Sequence, residues 1–262
     1  MEEMPIWLTY LASVAFGLVM GSFLNVVVAR IPHGQSIVRP GSRCLNCRNA
    51  ICFSDNIPIL SYLLLGGKCR KCKKPISIRY PMIEILTALL FLTVRIRFGW
   101  SLSLFYRDWP FVMILLSVTF IDLEHRIIPD SLSLGGLLLG LVTCTSSSGP
   151  GWEKSFLGAF LGFSSFYLLA WIYLKLSGHS GLGGGDIKLL AMLGAFLGPE
   201  GVFATILISS VFGSLVGIGW ALATQKKNVM KLTIPYGPFL VVGGFYYYFL
   251  GDVLWFQFMT PM

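Results

Sequence analysis

Two acidic side chains stand in apolar surroundings. Asp122 ends the run Phe111–Ile121, and Asp186 follows Gly183-Gly184-Gly185 and opens the apolar segment Ile187–Leu197. A charged residue at the centre of a membrane span costs about 2.5–3.5 kcal/mol on insertion scales. An acid kept there is a candidate for function. Two carboxyls brought together can hydrolyse a peptide bond with neither a metal nor a nucleophilic side chain. One, ionised, takes a proton from water; the other, protonated, donates to the carbonyl oxygen and then assists the leaving amine. Close carboxyls do not both ionise easily, so such a pair shares one proton. The glycines before Asp186 permit turns that a Cβ would forbid and let backbone approach a substrate strand. Each acid also has a plainer account. Asp186 can cap the helix that starts at Ile187, and Asp122 can be an interfacial acid with its head in water. Taken together beside a Gly-rich loop, they point to catalysis. Their helix ends suggest roles, with Asp186 at an N-terminus as base and Asp122 near a C-terminus as acid, although a coupled pair titrates jointly.

Four cysteines form the second constellation. Cys44-Leu-Asn-Cys47 and Cys69-Arg-Lys-Cys72 are two CxxC pairs separated by 21 residues. Two such knuckles supply the tetrahedral thiolate set of a structural Zn2+ site. The loop between them is short and polar, so a metal would supply much of its folding energy. A redox CxxC comes singly in a βαβ context, which is missing here. Cys52 and Cys144 have no partner at suitable spacing, and His33, His125 and His179 lack ligand spacing. Gly66-Gly67-Lys68-Cys69 is a tight turn into the second knuckle. Pro129-Asp130-Ser131 reads as a helix cap, and Glu124 and Arg126 as wetted loop charges. Glu84 is either structural or part of a second site.

The elements that must position these groups are membrane helices. Of the residues 55% are hydrophobic and 12% charged, with a mean hydropathy of +0.74, where a soluble domain carries about 25% charged residues. The expected fold class is an all-α polytopic membrane protein with about eight transmembrane helices and a small cytoplasmic zinc-binding cysteine loop. A span needs about 20 residues, and the apolar runs are 7–29, 82–98, 104–121, 131–145, 155–176, 187–198, 202–223 and 237–257. The first reads as a retained helix, since Glu2 and Glu3 precede it. The run 187–198 is the shortest, covering roughly 18 Å at about 1.5 Å per residue. Ten basic residues and one acid lie between Arg30 and Arg79, which puts that loop in the cytosol. Threading eight spans from there leaves 16 basic residues inside, Lys226, Lys227 and Lys231 among them, against Arg95, Arg97, Arg107 and Lys154 outside. Both aspartates then fall at the same cytoplasmic depth of the inner membrane. In the reducing cytosol the four cysteines are not expected to form disulfides. The net charge of +8 is thus a topology signal, with no nucleic-acid footprint. Three regions follow: 1–29 as the first helix, 30–81 as the tetracysteine loop, and 82–262 as the membrane region carrying the acids.

These motifs, in order, resemble the bacterial type IV prepilin peptidases, bifunctional leader peptidase/N-methyltransferases of the GxGD aspartyl protease kind. The resemblance runs through Gly21-Ser-Phe-Leu-Asn-Val-Val-Val-Ala-Arg-Ile-Pro32, both CxxC pairs, Asn56-Ile-Pro-Ile-Leu-Ser-Tyr62 and Gly66-Gly-Lys-Cys69. It continues through Pro75-Ile-Ser-Ile-Arg-Tyr-Pro81 with Glu84, then Ile121-Asp122 to Ile128-Pro-Asp130. Gly183-Gly-Gly-Asp-Ile-Lys-Leu-Leu-Ala-Met-Leu-Gly194 and Pro235-Tyr-Gly-Pro238 complete it. It implies that Asp122 and Asp186 are catalytic and that the substrate is a prepilin or pseudopilin. Its basic leader is cut after glycine where an apolar helix begins. It also implies methylation of the new α-amino group, usually of phenylalanine, with S-adenosylmethionine, an activity the family places in the cysteine-containing part. No Rossmann fingerprint supports that activity independently. The departures are small: a compact cysteine loop, Asp55 where many relatives carry glutamate, and Cys-Leu-Asn-Cys in place of Cys-Pro-x-Cys. Archaeal preflagellin peptidases resemble the second half but lack the cysteine domain. Two other classes fit less well. A transporter with a zinc-stabilised loop would show internal repeats, and none is evident; a membrane thiol oxidoreductase would need reactive cysteines near the outer face.

Overall fold

The computed structural model describes residues 5–178, 181–224 and 235–259. Glu2, Glu3, His179, Lys226, Lys227 and Lys231 lie outside the described residues. Among those described there is no β-strand, and eight α-helices carry most of the chain: α1 Ile6–Arg30, α2 Leu60–Leu64, α3 Arg79–Phe98, α4 Trp109–His125, α5 Asp130–Val142, α6 Trp152–Ser177, α7 Gly184–Thr224 and α8 Gly237–Met259. Among the described residues four stretches are, on length and composition alone, able to cross a membrane: Ile6–His33, Leu104–His125, Trp152–Ser177 and Gly184–Trp220. The chain forms two compact units, Met1–Ser117 and Val118–Met262.

In the first unit α1 and α3 touch backbone to backbone. Thr9, Ser13, Gly17 and Gly21 recur every fourth residue on α1 and are all buried. A Cβ on Gly17 would stand 2.6 Å from Ala88 Cα, and one on Gly21 2.6 Å from Glu84 Cα. Small residues at this spacing let apolar helices approach closely where lipid provides no hydrophobic drive. Phe91 of α3 stacks on Trp109 with parallel rings 4.9 Å apart. A single π-helical turn, Leu104–Asp108, precedes α4. Within it Arg107, expected among the outer-side charges, is fully buried and paired with Asp108 at 3.3 Å.

The second unit repeats the small-residue device. Gly158 and Gly162 of α6 lie directly on the backbone of Gly194 and Leu190 of α7, and Ser155 Oγ donates to the Ala195 carbonyl at 2.7 Å. α7 is two arms: Gly198 takes φ 76° and ψ −178°, and Pro199 follows. That conformation suits glycine, and proline cannot donate to the turn before it. The contacts along α8 show the reversal. Leu193 meets Gly244 and Tyr247 meets Gly201, but then Thr205 meets Gly243 and Ser209 meets Tyr236 at 2.9 Å. The first arm therefore runs with α8 and the second runs back along it. The apolar runs 187–198 and 202–223 correspond to these arms. α5 is shorter than the run 131–145 suggested, ending at Val142 before turns that close with Gly151 N–H on the Cys144 carbonyl.

Candidate active site and metal centre

Both aspartates belong to the second unit, and the fold brings them together. Asp122 sits in the last turn of α4 and is 5% exposed. Asp186 is half-buried in the first turn of α7. Their carboxyls are near enough for charge on one to act on the other. Asp122 Oδ2 accepts the Gly237 N–H at 2.9 Å, an otherwise orphaned donor at the start of α8. The Asp186 carboxyl accepts the Gly183 N–H. Asp186 is therefore held by the glycine turn and is not the residue preceding the helix, as capping would require. Each carboxyl takes an N–H from a helix start, so these backbone donors do not by themselves distinguish the acid from the base.

Glycines make the space. A Cβ on Gly237 would stand 2.7 Å from Asp122 Oδ2, and one on Gly183 3.0 Å from Asp186 Oδ2. Ile128 lies between the two motifs: a Cβ on Gly185 would stand 2.8 Å from its Cβ, and one on Gly237 3.2 Å from its Cδ1. Asp130 serves another purpose than the expected cap. Pro129 precedes α5 with no side-chain cap bond, and the Asp130 carboxylate pairs with Lys188 Nζ at 2.6 Å, tying α5 to the first arm of α7 two residues beyond Asp186. Two carboxyls gathered by helix starts, with exposed backbone at Gly183 and Gly184 beside them, suit proton exchange with a bound water and a peptide carbonyl.

The four cysteines also converge, within the first unit. Their sulfurs lie within 4.8 Å of one another, with Cys44 and Cys72 at 3.8 Å and Cys47 and Cys69 at 4.0 Å. Tetrahedral Zn–S bonds of about 2.3 Å put sulfurs about 3.8 Å apart, so the quartet can hold such an ion. The two knuckles are copies of one turn. Cys44 N–H bonds to Asn49 O and Arg48 N–H to Cys44 O, and Cys69 and Lys73 repeat this with Lys74 O and Cys69 O. Arg48 and Lys73 share a φ of 57°, and the bridges Arg43 to Ala50 and Lys68 to Pro75 flank them. The Asn49 backbone N–H, chiefly, lowers the Cys47 thiol to about 6, and the Cys72 and Lys71 N–H groups lower Cys69. The Lys74 N–H pulls Cys72 down, but burial and the other thiols push it up to about 11. Four thiols thus contend for little positive potential, which a divalent cation would supply. Asp55 grips the second knuckle through a forked bond to Arg70, 2.6 Å at its shortest, and that bond chiefly holds the Asp55 carboxyl below its usual range.

Comparison with known proteins covers both halves. Residues 15–98 match the bacterial peptidase A24 N-terminal domain, and 109–218 match the type IV leader peptidase family. A protein of Myxococcus xanthus is 42% identical over 212 residues, 81% of this chain and 63% of its own length, so this chain spans under two thirds of it. A relative from Aeromonas hydrophila is 36% identical over 94% of this chain and 92% of its own length. One from Neisseria gonorrhoeae is 36% identical over 91% and 90%. All three bear the name prepilin leader peptidase/N-methyltransferase. No solved structure matches the chain. Near-full-length identity above a third, joined to the two converging aspartates and the cysteine quartet, establishes that the chain belongs to the type IV leader peptidase family.

Proposed function

We propose that this protein removes the basic leader from type IV prepilins or type II secretion pseudopilins and then methylates the new N-terminal residue, usually phenylalanine. The observation that carries the reading is the meeting of Asp122 and Asp186, 64 positions apart in sequence, at the end of α4 and the start of α7. With one proton between them, the ionised carboxyl takes a proton from water as it attacks the scissile carbonyl, and the protonated one donates to the carbonyl oxygen. The proton taken from water then passes to the leaving amine while the other carboxyl recovers its own from a hydroxyl of the collapsing diol, and the pair returns to its starting state. Gly237 N–H and Gly183 N–H hold the carboxyls in place through the cycle, and the missing side chain at Gly183 leaves the extended leader room to lie beside them.

The distribution of basic residues supports the reading that this chemistry occurs at the cytoplasmic face of the inner membrane. Counting α1, α3, α4, α5, α6, both arms of α7 and α8 gives eight crossings, with the cysteine loop and both acids on the basic, cytosolic side. A pilin helix lying in the bilayer with its leader in the cytosol would meet the acids at that level. The functional division is residues 1–29 as first helix, 30–81 as tetracysteine loop serving methyl transfer, and 82–262 as peptidase region. The metal is structural Zn2+ on Cys44, Cys47, Cys69 and Cys72, where it would fix the two knuckles. S-adenosylmethionine supplies the methyl group. The test is direct: incubate the purified protein in lipid nanodiscs with a prepilin and the methyl donor, and follow the pilin by mass spectrometry. Loss of the leader followed by gain of one methyl group is expected. An intact prepilin would reject the peptidase reading; a cleaved but unmethylated pilin would reject the transferase.

A further inference from the structure

The first unit encloses a cavity of about 420 Å³, within the range of about 300–1,000 Å³ usual for small-molecule sites. Its walls come from the end of α1, the start of α3 and both cysteine knuckles, and include Tyr62, Tyr80 and Ile76. Two of its lining residues are buried acceptors with unmet capacity. Glu84 is 7% exposed; its Oε2 accepts the Ile59 N–H at 2.8 Å and the carboxyl also bonds Ser22, yet no cation among the described residues pairs with it. Asn25 is 3% exposed. Its Nδ2 donates to the Gly21 and Tyr80 carbonyls, each at 3.2 Å, which fixes the end of the amide carrying the nitrogen. Its Oδ1 is buried with no partner.

The strain in the wall points the same way. Ile59 has φ 59° and ψ −51°, and Leu60 N–H bonds Pro58 O across it at 2.5 Å: a γ-turn at a β-branched residue. This conformation is rare and costly, and such strain gathers where a site is held ready. Glu84 holds the N–H of that residue. A desolvated carboxylate without a counter-charge and an orphaned amide oxygen in one cavity are both unfavourable alone. A positively charged ligand satisfies both.

We propose that this cavity binds the adenosyl methyl donor, with Glu84 and the Asn25 amide oxygen receiving its positive charge. The inference rests on the transferase reading and deepens it. The donor is a sulfonium cation that also bears an ammonium group, whereas its demethylated product is a neutral thioether with the same ammonium. Tyr62, Tyr80 and Ile76 offer the flat and apolar surface an adenine ring needs.

The test is equilibrium binding, by calorimetry on the full protein in nanodiscs, of S-adenosylmethionine, S-adenosylhomocysteine and 5′-methylthioadenosine. Wild type is compared with Glu84→Gln and with Ala29→Phe, which fills the cavity; metal content and thermal unfolding report whether each variant folds. The Ala29→Phe variant is expected to lose about tenfold or more in affinity for all three ligands. For Glu84→Gln a loss of about tenfold for the donor alone locates the carboxylate at the sulfonium. An equal loss for donor and product, sparing methylthioadenosine, locates it at the ammonium; either outcome supports the site. Folded variants that bind all three as wild type does would overturn the cavity assignment and leave the transferase reading standing. Wild type that binds neither donor nor product would overturn both.

Discussion

An alanine at Gly237 is the smallest change that should disable leader cleavage while sparing the fold. Its methyl carbon would stand 2.7 Å from Asp122 Oδ2 and 3.2 Å from Ile128 Cδ1. Carbon and oxygen in comfortable contact sit about 3.3–3.6 Å apart, so the carboxyl must retreat by roughly 0.6 Å or more. The easy retreat is rotation of the Asp122 side chain, which breaks its 2.9 Å bond to the Gly237 N–H. Catalytic groups need placement within about 0.5 Å, and a displacement of about 1 Å costs on the order of 10²-fold. We expect kcat/KM for leader removal to fall about 10²-fold, or about 2.7 kcal/mol of barrier. Stability should change little, because the collision is with the end of a side chain. Gly183→Ala, with 3.0 Å to Asp186 Oδ2, should act in the same direction and less strongly. Gly184, between them in the motif, has nothing within 4 Å of its would-be Cβ; Gly184→Ala should cleave within about twofold of wild type. Timed cleavage of a purified prepilin by the three variants decides the matter. A Gly237→Ala enzyme cleaving as fast as wild type, or a Gly184→Ala enzyme as impaired as Gly237→Ala, would refute the reasoning.

Other outcomes follow from the same geometry. Gly194→Leu puts a side chain onto the Gly158 carbonyl, forces α6 and α7 apart, and should cost about 1–3 kcal/mol or more; an unchanged Tm in detergent would speak against that contact. Ser155→Ala removes the 2.7 Å bond to Ala195 O and should lower stability by about 0.6–1 kcal/mol, read in the same unfolding assay. Cys44→Ser and Cys72→Ser should lose bound zinc in elemental analysis and expose residues 34–78 to proteolysis, and wild type purified without metal would remove the site. Cleavage should follow a bell-shaped pH profile, since the pair is inactive with both carboxyls protonated or both ionised; a rate flat across the weakly acidic range contradicts a shared proton.

Residue type and spacing made part of this architecture legible. The cysteines could be found because few residue types ligate zinc and because knuckle spacing is local; the repeated turns at Cys44 and Cys69 add that the halves are copies, a fact held in backbone angles. Asp186 announced itself through the glycines beside it. Asp122 could be paired with it only through charge counting, and the partner that holds it, Gly237, is 115 positions away and contributes an N–H that any residue but proline carries. The reversal at Gly198 agrees with reading the short run 187–198 as a segment of its own, separate from 202–223. Asp130 misled because a carboxylate at a helix start suits both a cap and an ion pair, and Lys188 decides between them. The burial of Arg107 was not legible, because nothing local reveals that Asp108 beside it would bury with it. Glu84 stayed between structure and site for a like reason, since its partner is the strained N–H of Ile59.

The most direct measurement is leader cleavage by Asp122→Asn, Asp186→Asn and the double variant, each purified into the same lipid and shown to retain its metal. If the two carboxyls act as one unit, each single variant falls to background and the double is no slower than either. Steady cleavage by either single variant, or losses that multiply in the double, would contradict a shared-proton pair.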